Sequence, residues 1–158
     1  MNGVPAMPAP LAALAAEFER MDRGLRTESL IDYADQFEEV APEIARRPFP
    51  ELNRAPRCES EAYVFATDRP DGTLDFHFAV ENPQGLSAKA WAVIVRETCS
   101  GQPLEQVAAA PQDVIYRIFG RDLSMGKGQG LIGMMELVQH AARVRIEWKR
   151  RHAAGLEG

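Results

Sequence analysis

Hydrophobic positions along this chain fall into alternating blocks of helical and extended spacing. Leu11, Leu14, Ala15 and Phe18 form one stripe at helical spacing, and the helix carrying it is expected to end near Gly24. Thr27 or Ser29 is suited to cap a second helix, with Leu30, Tyr33, Ala34 and Phe37 facing inward. Prolines at 42, 48, 50 and 56 then exclude a long helix and predict an irregular connection. Ala62–Thr67 is rich in aromatic and β-branched residues, and Asp68–Gly72 has turn chemistry through Pro70-Asp71-Gly72. Thr73–Val80 alternates with Leu74, Phe76, Phe78 and Val80 on one face, so the pair is expected to form a half-buried antiparallel hairpin.

The helical period returns after Asn82-Pro83-Gln84-Gly85. Ser87 is a candidate cap for a helix with Trp91, Ile94 and Val95 inward, stopped at Ser100-Gly101. Two short helical pieces, about Leu104–Ala109 and Gln112–Phe119, lead to a glycine-rich stretch, Gly120–Gly130, expected to be a loop. The closing helix has a broad apolar face built by Leu131, Met134, Met135, Leu137, Val138, Ala141 and Ala142. The fold class expected from this order is α+β, a small antiparallel β-sheet with helices packed on one face. A third strand would fit, though no segment is assigned to it. One domain over residues 11–152 is expected, with tails at 1–10 and 153–158.

Composition narrows the class. At 158 residues, 46% hydrophobic and 26% charged, the chain can bury a core without covalent staples. It has no apolar run of the roughly 20 residues a membrane span needs, and no basic segment followed by a hydrophobic stretch at its start, so a soluble, cytoplasmic protein without a membrane partner is expected. Residues 1–61 hold 12 acids against 7 Lys and Arg, which places the net charge of −5 in the first third. Arg143, Arg145, Lys149, Arg150 and Arg151 form the one basic cluster; they suit the end of a helix, where cations favour the dipole, and nucleic-acid binding is not expected. His77, His140 and His152 are scattered, with no spacing that suits a metal. Gly126-Lys127-Gly128-Gln129-Gly130 precedes a helix but lacks the spacing of a phosphate loop; a flexible loop offering Lys127 to a partner is preferred. By alternation His77 points away from the buried strand face, toward an exposed position and not toward a catalytic dyad.

Candidate chemistry rests on the two cysteines. Cys99 falls on the inward stripe of its helix and is assigned to packing. Cys58 lies where an irregular loop turns into a strand, a position from which a thiol can be presented to another protein. Arg54 and Arg57 would raise its thiolate fraction and Glu59 and Glu61 would oppose that, according to which of them face the sulfur. From the residues alone, an ordinary buried cysteine is the favoured reading of this position.

The stretch Asn53-Arg54-Ala55-Pro56-Arg57-Cys58-Glu59-Ser60-Glu61 resembles the signature of the SufE family, Asn-Arg-hydrophobic-Pro-Gly-Cys-Gln-Ser-Gln followed by a hydrophobic strand. The likeness runs along nearly the whole chain, including Leu25-Arg26-Thr27-Glu28-Ser29-Leu30-Ile31-Asp32-Tyr33-Ala34, Ala88-Lys89-Ala90-Trp91, Ser100-Gly101-Gln102, and Leu123-Ser124 to Gln129-Gly130-Leu131. It departs from the pattern at Arg57, where the family has glycine, and at Glu59 and Glu61, where it has glutamines. Lys127 stands where an arginine is usual and lacks the planar fork of that side chain.

The resemblance implies a SufE/IscU-like fold and a sulfur acceptor and activator for a cysteine desulfurase, with persulfide sulfur carried on Cys58. It implies a SufS-type desulfurase as donor and a SufB-type scaffold complex as onward acceptor in iron–sulfur cluster assembly. No cofactor is expected on this chain, since pyridoxal phosphate belongs to the desulfurase. Partner contacts are expected from Arg57, Glu59, Ser60, Glu61 and Lys127, in a monomeric sulfur relay and not a classical enzyme. Cluster scaffolds of the IscU family share the fold but hold their cluster with three cysteines, and this chain has two. Two alternatives remain at this point: a thiol redox protein in which Cys99 resolves an oxidised Cys58, requiring Cα atoms within about 7 Å, and a desulfurase-binding adaptor without sulfur transfer.

Overall fold

The structure is a computed structural model that describes residues 6–153. Its elements run α1 (Ala9–Glu19), α2 (Arg23–Asp35), a 3-10 turn (Glu51–Asn53), β1 (Ala62–Asp68), β2 (Leu74–Val80), α3 (Leu86–Cys99), α4 (Leu104–Ala109), α5 (Asp113–Phe119) and α6 (Met125–Ala153). Helices and one two-stranded antiparallel sheet make the fold α+β, and among the described residues no third strand is present. No described helix is long and apolar enough to cross a membrane.

The hairpin pairs Ala62 with Val80 through Asp68 with Leu74. Leu74, Phe76, Phe78 and Val80 are all buried against the helical layer, as their alternation predicts. Both outer edges are covered. On β2, Leu74 O accepts from Gly101 N, Phe76 N donates to Ser100 Oγ, and Phe78 O accepts from Val40 N. On β1, Ala62 O accepts from Ala55 N and Val64 O from Asn53 Nδ2, so few strand groups are left open to pairing. The opposite sheet face is also partly dry. Val40 and Phe49 fold over Tyr63, Phe65 and Ala79 as a second small cluster. Arg47 pins that flap through Glu39 and Glu81 while its guanidinium lies 5.0 Å from the Phe49 ring centre. His77, expected to be exposed, is therefore half-buried and bonded to Thr67 Oγ1 at 2.9 Å. Burial holds its pKa below the usual value.

The centre of the main core is α3, buried nearly all round, with Trp91 edge-on to Phe119. The inward stripes of the first two helices pack on it: Leu11, Ala15, Phe18 and Ala34 are buried, and Leu30, Tyr33 and Phe37 are partly so. On α6, Leu131, Met134, Met135, Val138 and Ala142 complete the core. Buried Gln139 donates from Nε2 to the carbonyls of Val107, Ala108 and Ala110, satisfying the free end of α4.

Element ends differ from expectation where a side chain or a tertiary contact intervenes. The first helix stops at Glu19, not near Gly24, because Asp22 accepts from Leu25 N and starts α2; Thr27 and Ser29 lie inside that helix. Ser87 likewise lies inside α3, whose N-cap is Gly85. At the chain ends, α1 begins at Ala9 and α6 runs through Ala153, so both enter the stretches expected to be tails; residues 1–5 and 154–158 lie outside the described residues. The largest difference is at residues 125–130. The glycine-rich stretch expected to be a loop forms the first turns of α6.

Candidate functional site around Cys58

The chain reaches Cys58 through a tight excursion. Ala55 N donates to Ala62 O at 2.8 Å and Arg54 bridges to Tyr63, closing the loop 56–61 at its base. Within it Glu61 N donates to Cys58 O, and Asn82 N and Glu81 N donate to the carbonyls of Ser60 and Glu61, tying the loop to the chain that follows β2. Arg57 (φ 60°) and Glu61 (φ 54°) adopt left-handed backbone, and they are the only non-glycine residues to do so among those described. Each conformation costs about 1 kcal/mol for such residues, so both ends of the segment bearing the thiol are strained.

The other wall is α6. Gly130 and Gly133 lie one turn apart on the same helix face. A Cβ at Gly130 would meet Cys58 Cα at 3.2 Å and Cys58 Sγ at 3.4 Å, and one at Gly133 would meet Pro56 O at 2.1 Å. Close backbone approach thus requires glycine at 133, and at 130 a side chain would need its neighbour to give by a few tenths of an ångström: the loop rests on a strip of helix without side chains. Cys58 ends up 8% exposed. The thiol expected to be presented at a loop tip is instead tucked under its own loop.

Two hollows share Cys58 in their linings. One, of about 520 Å³, is lined by Glu51 and by Arg54 through Glu59. The other, of about 180 Å³, lies between the N-terminal ends of α3 and α6, where Cys58, Ser60, Asn82, Gln84 and Lys127 line it. The structure therefore gathers Cys58, Glu59, Ser60 and Lys127 around one opening. Lys127 is exposed in the first turn of α6, not in a flexible loop. Glu61 is exposed and lines neither hollow. The two arginines beside the thiol have ion-pair partners: Arg54 lies 3.8 Å from Glu51, and Arg57 Nη2 donates to Glu136 Oε1 at 2.9 Å.

Several members of this site were not assigned from sequence: Glu136, Asn82, Gln84, and Gly130 with Gly133 as the bed of the loop. The glycine pair had a signal, since glycines inside an apolar helical pattern weaken a helix and call for a packing reason. Glu136 had none, being 79 residues from Arg57.

Cys99 is wholly buried at the last turn of α3, and burial pushes its thiol up to about 11. Cys58 shares a hollow with Ala88 in the first turn of the same helix. Roughly 16 Å of helix rise separates Ala88 from Cys99, so Cys58 lies toward the opposite end of α3 from Cys99. Among the described residues, no group of three or more His, Cys, Asp or Glu converges as a metal site would require.

Comparison with known proteins gives first the fold and then the family. The solution structure of a hypothetical protein from Thermus thermophilus superposes with a TM-score of 0.73 at 22% sequence identity, covering 89% of this chain and 98% of that one, a likeness of fold. No curated protein sequence matches. The family model described as SufE, Fe-S metabolism associated domain, matches residues 12–142, and the chain belongs to that family. Its place is thus in iron–sulfur metabolism.

Proposed function

We propose that this chain is a sulfur acceptor and activator for a cysteine desulfurase, taking persulfide sulfur on Cys58 and passing it to the iron–sulfur assembly machinery. The observation that carries this reading is the position of Cys58, a free thiol in the lining of two hollows, in the segment that resembles the family signature. Exposed Leu52, Leu86 and Met125 adjoin in sequence the lining residues Glu51, Ser87 and Gly126. Such exposed apolar side chains suit a protein donor better than a small molecule.

In the transfer, the Cys58 thiolate attacks the outer sulfur of a cysteine persulfide on the donor. A bond forms between Cys58 Sγ and that sulfur, the donor's sulfur–sulfur bond breaks, and the donor cysteine leaves as a thiolate, with no net oxidation. The donor is a SufS-type desulfurase, to which the pyridoxal phosphate belongs, and the onward acceptor a SufB-type scaffold complex. Arg57, Glu59, Ser60, Glu61 and Lys127 are the polar contacts offered to these partners, Glu61 from outside the two hollows. A reducing cytosol keeps the thiol free between transfers.

Intact-mass analysis after incubation with an active desulfurase, cysteine and pyridoxal phosphate tests the reading. One added sulfur on the native chain and none on Cys58→Ser is the expected result; no Cys58-dependent adduct would overturn it.

A further inference from the structure

Arg57 occupies a left-handed backbone position that glycine would take without penalty, and its side chain crosses to α6 to reach Glu136. Glu136 lies one turn beyond Gly133, so the ion pair sits directly after the two glycines on which the loop rests. We propose that the Arg57–Glu136 pair is a latch that holds the Cys58 loop closed on α6 and sets how often the buried thiol is exposed to an incoming persulfide. Its role in sulfur transfer rests on the proposed function; its effect on thiol exposure does not.

A donor persulfide on another protein must come within about 3.5 Å of Cys58 Sγ, in line with the bond to be broken. With the loop seated Cys58 is only 8% exposed, so little of the residue is open to an incoming protein. The loop is bonded at its base and to residues 81 and 82, but toward α6 it has mainly backbone packed against glycine. Among the described residues, Arg57–Glu136 is the hydrogen bond that joins the loop to α6. Its side chains are 47% and 40% exposed, so the tie is weak, screened by salt, and open to exchange. A docking protein that offers a cation to Glu136 or a carboxylate to Arg57 would replace the internal pair with an intermolecular one. Docking and opening would then be coupled through that difference in contacts.

The test is the rate at which a neutral alkylating reagent, iodoacetamide, modifies Cys58 in the full chain without desulfurase, followed by peptide mapping. Glu136→Gln and Arg57→Gln are each expected to speed modification about two- to fivefold, the double variant no more than either single one. Raising salt to molar strength should speed the native chain toward the variants and leave the double variant unchanged. A purely local field effect on the thiolate would move the two single variants in opposite directions, and that result, or unchanged rates, would overturn the latch. Unmodified Cys99 in every sample reports that the fold is intact. Because no desulfurase is present, faster alkylation sustains the latch even if the sulfur adduct on Cys58 is never found.

Discussion

Cys58 and Cys99 are both nearly inaccessible, 8% and 0% exposed, yet they are hidden by different means. Cys99 is enclosed by α3 and the layers around it, with Thr98 Oγ1 3.7 Å from its sulfur. Exposing it means dismantling the core. Cys58 is covered by residues 56–61 and by a glycine face of α6, and exposing it needs only the displacement of one strained loop. Local opening of this kind costs a fraction of global stability. Two buried thiols in one chain can therefore differ sharply in reactivity, and solvent exposure alone does not reveal which is chemical and which is packing.

The cover over Cys58 is most vulnerable at Gly133. Gly133→Ala would place a methyl group 2.1 Å from Pro56 O, a backbone atom with little freedom to move. We expect a loss of about 2–3 kcal/mol in urea unfolding, or expulsion of the loop with fast alkylation of Cys58 while Cys99 stays protected. A stable variant with Cys58 still protected would show that the loop does not depend on this bed.

Cys99 is tested by alkali. Its folded pKa, raised to about 11 by burial, lies above the value near 9 for an open chain. The neutral thiol is thus favoured by folding, the contribution is complete below pH 9, and it is lost as pH rises through 11. The native chain should lose of the order of 2 kcal/mol more stability between pH 8 and pH 11 than Cys99→Ala does, measured as the shift in urea midpoint. Equal losses would mean that Cys99 is not enclosed as described.

The smallest effect is the control at Gly126, where an added Cβ meets nothing within 4 Å. Gly126→Ala should stabilise the chain by about 0.5 kcal/mol through helix propensity alone, read as a higher urea midpoint. With Gly133→Ala, it separates glycines needed for contact from one that is not.

Much of the helical and hairpin framework is legible in the spacing of apolar residues, because each stripe reports a local period and needs no knowledge of its partner. Leu104–Ala109 is found at its expected bounds, the inward sets on the second strand and α3 are buried as read, and on α6 the set is buried except for the partly buried Leu137 and Ala141. The start of α6 was not legible. Glycine costs about 1 kcal/mol in a helix, so Gly126-Lys127-Gly128-Gln129-Gly130 has loop chemistry when read locally. It is helical in the fold because the helix continues into an apolar face, and its glycines are used where the chain packs closely, at Gly130 against Cys58 and above all at Gly133 against Pro56 O. The second apolar cluster escaped for a similar reason, since Val40 and Phe49 sit in a proline-rich connection with no period to follow.

Residue order was enough to establish the fold class, the position of Cys58 between a loop and a strand, and the motif that marks its family, since local period and residue identity survive without a partner. The packed chain was needed to establish that the thiol is covered, that glycines of α6 form its bed, and that Arg57 reaches Glu136. Those facts depend on surfaces distant in sequence meeting at the scale of a single methyl group, a distance no local pattern encodes.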